Sequence, residues 1–160
     1  MTTTQIDEII EKHKYDEAHL IGMLQNMQAQ HENKYLPKDA LEYLAQKLNI
    51  PLSRVYHIAT FFKAFSLKPK GKHELTVCLG TACHVRGGQR IVDRLQHELK
   101  INPGETTPDL MFTLEIVNCL GCCALGPVVV VDDEYHGQMT QTKADRLLKK
   151  ILKEEKEKAA

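Results

Sequence analysis

The sequence predicts an α+β fold, with an N-terminal helical bundle followed by a mixed four-stranded sheet packed against helices. Three observations carry this. From Thr4 to Phe65 apolar residues recur at three- and four-residue steps and no strand alternation appears. Past KPKGK, Lys68 to Lys72, the period changes, and short alternating runs take turns with helical stripes. Finally, the alternating runs end in cysteines, the usual place for a site in an open sheet.

In the first half, Ile6, Ile9 and Ile10 mark a short helix. Leu20, Leu24 and Met27 mark a second, with Met23 flanking the stripe. Pro37 opens a third, where the missing N–H has no helical partner, and Leu41, Leu44, Ala45 and Leu48 form its buried face. Pro51 breaks the chain and Ser53 recaps it. Val55, Ile58, Ala59 and Phe62 then line a fourth helix. Residues 1–67 read as one helical subdomain and KPKGK as its linker.

In the second half, Leu75, Val77 and Leu79 alternate, a strand delivering Cys78 to its end. Ile91, Val92, Leu95 and Leu99 form a helical stripe stopped by Asn102-Pro103-Gly104. Phe112, Leu114 and Ile116 alternate again and run into Cys119. Residues 127–131 form a third strand, apolar on both faces, and Asp132-Asp133-Glu134 turns into a short fourth around Tyr135 and His136. Thr142 with Asp145 resembles a capping box for a last helix that buries Leu147, Leu148, Ile151 and Leu152. Residues 73–153 form the second domain, and 154–160 a charged tail expected to fray. A parallel crossover followed by an antiparallel hairpin is a thioredoxin-like arrangement.

Composition narrows the function. Of 160 residues, 42% are hydrophobic and 26% charged, as in a folded protein without membrane spans. Lys plus Arg and Asp plus Glu both number 21, and there is no Trp, so nothing favours nucleic acid. The start, MTTTQIDEII, lacks a basic stretch followed by an apolar one, and no run approaches the roughly 18–20 apolar residues of a span. The cytoplasm is the expected compartment, with no direct membrane insertion. Clustered cysteines there signal metal or redox chemistry rather than structural disulfides.

Five cysteines fall into two groups. VCLGTACHVRGG holds Cys78-x4-Cys83, and NCLGCCALGP holds Cys119, Cys122 and Cys123. The second pair is either Cys119-x2-Cys122 or Cys119-x3-Cys123. Thiolates are soft ligands that select iron–sulfur clusters, zinc or copper(I). Gly80, Gly87, Gly88, Gly121 and Gly126 allow backbone to approach the sulfurs and donate N–H bonds, and a helix N-terminus after Cys83 would add positive potential. A [2Fe–2S] cluster accepts four thiolates from two loops. A zinc-stapled interaction module would favour C-x2-C knuckles on both sides, and one side lacks it. A thiol–disulfide oxidoreductase using Cys119 and Cys122 needs its first cysteine at a helix start, whereas CALGPVVVV runs into a proline and a strand.

These two segments resemble the ligand segments of the thioredoxin-like [2Fe–2S] ferredoxin family. That family includes the 24 kDa subunit of respiratory complex I and small subunits of NAD(P)-linked, electron-bifurcating hydrogenases and formate dehydrogenases. LPKDALEYLAQKLNIPLSRVYHIATFF is similar to the family's helical N-terminal region, so the resemblance runs from about Lys34 to Lys150. It implies C-x4-C and C-x3-C ligands, hence Cys78, Cys83, Cys119 and Cys123, which leaves Cys122 over, to be read as a small packed residue or else as a reactive or regulatory thiol. Gly126 stands where relatives often carry alanine. The resemblance further implies a one-electron carrier subunit with a single [2Fe–2S] cluster and no catalysis of its own. FMN and NAD(P) would sit on a flavin-binding iron–sulfur partner, beside a further large iron–sulfur or hydrogenase-type subunit. The owner would be a soluble complex or the peripheral arm of a membrane complex. No G-x-G-x-x-G follows a strand and no P-loop or nucleophile elbow occurs, consistent with nucleotide and flavin binding elsewhere.

Other residues carry weaker signals. His84 beside Cys83 reads as a solvent-facing polar residue. Arg86 either offsets cluster charge, meets a partner or is merely solvated. Tyr56 and His57 read as packing on a helix, Met23 and Met27 as gap-filling core, and Lys149, Lys150 and Lys153 as a solvated helix face.

Overall fold

The computed structural model describes residues 2–158. The chain divides into two compact units, Met1–Lys70 and Gly71–Ala160, the division falling inside KPKGK.

The first unit is four helices. Helix α1, Thr3–Lys12, starts with a capping box in which Thr2 and Gln5 satisfy each other's backbone N–H groups, a signal the apolar spacing does not contain. A 3-10 turn over Glu17–His19, capped by Asp16, leads into α2, Leu20–Gln30. Helix α3 spans Lys38–Lys47 behind Pro37, and α4 spans Leu52–Phe61 behind Pro51. Ser53 therefore lies inside α4 and does not cap it. Phe62 falls just past its end, half-exposed, because the chain there turns extended. One core joins Ile6, Ile9 and Ile10 with Leu24, Met27, Leu41, Leu44 and Val55, and Met23 is fully inside it rather than flanking it. The Tyr43 hydroxyl donates to both Asp7 carboxylate oxygens, at 3.0 and 2.9 Å, and fastens α3 to α1.

The second unit is a five-stranded mixed sheet, one strand more than expected. Its strands are β1 His73–Cys78, β2 Glu105–Thr106, β3 Phe112–Val117, β4 Val129–Val131 and β5 Glu134–His136. The spatial order is β2-β3-β1-β4-β5. β1 and β3 run parallel, with Leu75 opposite Leu114, and the other pairs are antiparallel. The added strand β2 is two residues long and pairs at the edge through Glu105 and Thr106, too short to show alternation. The β4–β5 turn places Asp132 and Asp133 at φ 48° and 74°, the backbone hand that a two-residue hairpin requires.

Helices α5 Thr81–Val85, α6 Gly88–Leu99 and α7 Gln141–Lys158 complete the unit. Leu75 and Val77 share one sheet face with Leu114, Val129 and Val131. That face packs on Ile91, Val92 and Leu95 of α6 and on Ala144, Leu148 and Ile151 of α7. Arg94 locks the two helices together through a bidentate pair with Asp145 at 2.8 and 3.0 Å. The N–H that the start of α7 leaves free, Lys143, bonds Thr140 Oγ1, so the cap lies two residues before the expected Thr142. Helix α7 continues through Lys158, where a frayed tail from residue 154 was expected. The reason is tertiary: Glu155 is buried and pairs with Lys72, while His73 sits between Asp132, at 2.5 Å, and Glu155, at 3.5 Å. Residues 159–160 of the tail lie outside the described residues.

Candidate metal centre

Strand alternation decides where Cys78 points. Leu75 and Val77 face the main core, so Cys78 faces the other way. At the carboxyl end of the sheet it meets Cys83 and Val128 in a second, small buried cluster. Val117, Leu120, Cys122 and Val130 pack against it. The first ligand segment leaves β1, turns at Gly80 and enters α5. Cys83 lies within that five-residue helix, and the helix start expected after it is that of α6 at Gly88. The second segment leaves β3 at Val117, passes Cys119, turns at Gly121 with φ 78°, and closes in a 3-10 turn over Cys123–Leu125. The peptide bond between Gly126 and Pro127 is cis.

The two segments approach through glycines. A Cβ added at Gly80 would stand 2.6 Å from the Asn118 carbonyl oxygen and 3.5 Å from Cys119 Cβ. One added at Gly126 would stand 3.1 Å from Cys83 Sγ. Backbone donors surround the sulfurs. Gly80 and Leu120 donate N–H bonds to Cys78, Val128 donates to Cys83, and Gly121 donates to Cys119 Sγ at 3.3 Å. Burial pushes the Cys78 thiol up, but the Gly80 and Leu120 N–H groups and the bond from Cys83 outweigh it and hold Cys78 below the ordinary thiol value. Cys83 is pushed up, first by burial and then by its bond to Cys78. The backbone N–H groups thus favour a thiolate in the Cys78–Cys83 pair, the form in which cysteine binds metal.

No disulfide joins any of the five cysteines. Cys78 and Cys83 touch, and Cys83 also feels Cys123 electrostatically. Cys119 and Cys123 are exposed on the facing loop, while Cys122 is half-buried against Cys78, Cys83 and Val128. Among the described residues no three His, Cys, Asp or Glu side chains gather tightly enough for a single ion. The donor set, cysteines on two facing loops with N–H groups on the sulfurs, fits in chemistry a two-iron cluster, which is tuned by such bonds. The disulfide reading loses its physical basis, because Cys119 opens no helix and one 3-10 turn follows.

His84 is exposed, as is Val85 beside it. Arg86 is the residue whose role spacing could not reveal. Its Nη1 donates to the Cys123 carbonyl at 2.8 Å and to the Gly126 carbonyl at 3.4 Å, crossing from the first ligand segment to the second. Gln138 N–H holds the same loop through Leu125 O at 2.6 Å.

Comparison with known proteins gives the chain's family. A sequence model of the thioredoxin-like [2Fe–2S] ferredoxin family matches residues 6–152. The chain is 36% identical over 144 residues to the HndA subunit of the NADP-reducing hydrogenase of Solidesulfovibrio fructosivorans, covering 90% of this chain and 83% of that protein. It is 39% identical over 131 residues to one of the subunits of NADH-quinone oxidoreductase in Rickettsia prowazekii, covering 81% and 74%. In fold it resembles a solved NAD+-reducing [NiFe]-hydrogenase with a TM-score of 0.70 at 18% identity, covering 85% of this chain and 23% of that one. Among the described residues no helix is long and apolar enough to cross a membrane. The chain belongs to the thioredoxin-like [2Fe–2S] ferredoxin family, whose members carry one [2Fe–2S] cluster for electron transfer.

Proposed function

We propose that Cys78, Cys83, Cys119 and Cys123 hold the cluster and that the chain is a non-catalytic, one-electron relay subunit of an NAD(P)-linked oxidoreductase complex. The observation that carries this is the Cys78–Cys83 contact, ringed by backbone N–H donors and faced by a loop bearing Cys119 and Cys123. The cluster supplies a single-electron couple. The chain's own residues fix its four attachment points, place N–H dipoles against the sulfurs and keep water off Cys78 and Cys83 with Val117, Leu120 and Val128. Cys122 stands aside, packed on that apolar cluster.

A one-electron carrier exchanges with a hydride donor only through a two-electron cofactor. The partner of this reading is therefore a flavin- and NAD(P)-binding iron–sulfur subunit, with FMN and nucleotide outside this chain. The similarity to subunits of NADP-reducing hydrogenase and NADH-quinone oxidoreductase supports that assignment, as it supports a further large iron–sulfur or hydrogenase-type subunit. In this reading residues 73–153 carry the cluster, the helical residues 1–67 supply docking surface, and the assembly works in the cytoplasm. The exposed ring of Phe61, stacked on His57, suits the docking role.

Anaerobic isolation followed by iron and sulfide analysis and paramagnetic resonance after dithionite tests the proposal. About two irons and two sulfides per chain with a reduced-state signal are expected. Iron-free, spectroscopically silent protein, or zinc in equal amount, overturns it.

A further inference from the structure

We propose that Arg86 is a positioning residue that clamps the two ligand loops and biases the cluster toward its reduced form. This rests on the cysteine assignment above, and adds a role for a side chain that is not a ligand.

The geometry is specific. Arg86 is the C-cap of α5, the helix that contains Cys83, so its backbone is tied to the first ligand segment. Its guanidinium crosses to a segment 37 to 40 residues further on and binds the carbonyls of Cys123 and Gly126, which bracket the 3-10 turn. The Gly126 carbonyl lies past the turn, where a helix end leaves acceptors without internal partners, while the Cys123 carbonyl accepts the Gly126 N–H at 3.2 Å and takes Arg86 as a second donor. Both bonds come from one nitrogen, Nη1, whose two hydrogens serve the two acceptors at the full reach of the arginine side chain. The clamp is thus set from the Cys83 side onto the backbone of Cys123.

The charge is also close. A Cβ built on Gly126 would lie 3.1 Å from Cys83 Sγ and 3.5 Å from Arg86 Nη1. Their sum bounds the nitrogen-to-sulfur distance at about 7 Å, within the screening length of about 8–10 Å in physiological salt, so the charge is felt even from an exposed side chain. Reduction adds one electron to an anionic cluster and no proton need accompany it. A cation at this distance stabilises the reduced form relative to the oxidised one. Arg86 also draws two carbonyl dipoles toward itself.

The test compares Arg86→Gln and Arg86→Lys with the wild-type chain in three measurements. In the cluster-loaded protein, Arg86→Gln should shift the one-electron reduction equilibrium several-fold toward oxidised, up to tenfold or 59 mV. Arg86→Lys, which keeps the charge, should stay within about twofold of wild type. Iron release to a chelator should be several-fold faster in both, because both side chains are shorter than arginine and fall short of the carbonyls that Nη1 reaches at 2.8 and 3.4 Å. In cluster-free protein, amide exchange in residues 119–126 should accelerate several-fold in both, and this reads the clamp without any cluster. Wild-type potential in Arg86→Gln overturns the charge role, and wild-type exchange and iron release in both variants overturn the clamp. Should Arg86→Gln take up no iron, Arg86→Lys and the exchange measurement decide. If wild-type chain itself takes up no [2Fe–2S] cluster, the ligand assignment fails instead, and the exchange result still judges the clamp.

Discussion

Replacing Gly80 by alanine should separate the two ligand loops. The backbone at Gly80 has φ −55° and ψ 154°, a region open to any residue, so conformation itself costs nothing. The obstacle is the neighbour. The new Cβ would stand 2.6 Å from the Asn118 carbonyl oxygen, against a comfortable carbon–oxygen approach of about 3.3–3.6 Å. The atom in the way is backbone, at the foot of the second ligand loop, so relief requires moving that loop by more than half an ångström. Overpacking of this kind costs about 1–3 kcal/mol, a factor of about 5 to 150 in the local folding equilibrium. The move also pulls Cys119, whose Cβ lies 3.5 Å from the same point, away from Cys78 and Cys83. Hydrogen-exchange mass spectrometry on cluster-free protein, read in peptides from β1 and β3, gives the energy, and iron per chain after reconstitution gives the consequence. Gly104→Ala is the control. At φ 85° with no atom within 4 Å of its Cβ, it should cost about 1–2 kcal/mol from backbone strain alone and leave iron content unchanged. Full iron content in Gly80→Ala, with exchange protection within about 0.5 kcal/mol of wild type, would refute the claim that this contact sets the loop spacing.

Three further outcomes follow from the same geometry. Cys122→Ser should keep the visible and resonance spectra of the cluster, whereas Cys123→Ser should bleach or shift them; the opposite pattern would move the ligand role to Cys122. Leu114→Ala, at a fully buried position facing α6 and α7, should lower exchange protection of β1 by about 2–5 kcal/mol, and a loss under 1 kcal/mol would contradict its central place in the core. Asp145 is held below its ordinary value of 3.8 by the Arg94 guanidinium. Because its folded value is depressed, the pair stabilises the fold fully above the unfolded value and the benefit disappears as pH falls through the folded one. The stability gap between wild type and Asp145→Asn should therefore be flat above about pH 5 and close in acid; a gap that widens in acid would show the sign to be wrong.

Most of the helical pattern was legible because it is local. A stripe such as Ile91, Val92 and Leu95 has one way to bury itself, and the alternation of Leu75 and Val77 fixes which way Cys78 points. What escaped were features without a period: the two-residue strand β2, the Thr140 cap, and the last turn of α7, which persists because Glu155 finds Lys72 and His73 far upstream.

The site divides in the same way. Residue type and spacing alone determine that soft thiolate donors come in two groups, and that iron–sulfur chemistry is the economical reading of them. Only the tertiary structure decides that Cys78 and Cys83 meet, that Cys122 turns inward while Cys119 and Cys123 face out, and that Arg86 spans the gap. The reason is physical. Periodicity reports which side of an element is apolar, whereas hydrogen bonds across 37 residues arise only when strand register brings two loops to the same end of one sheet.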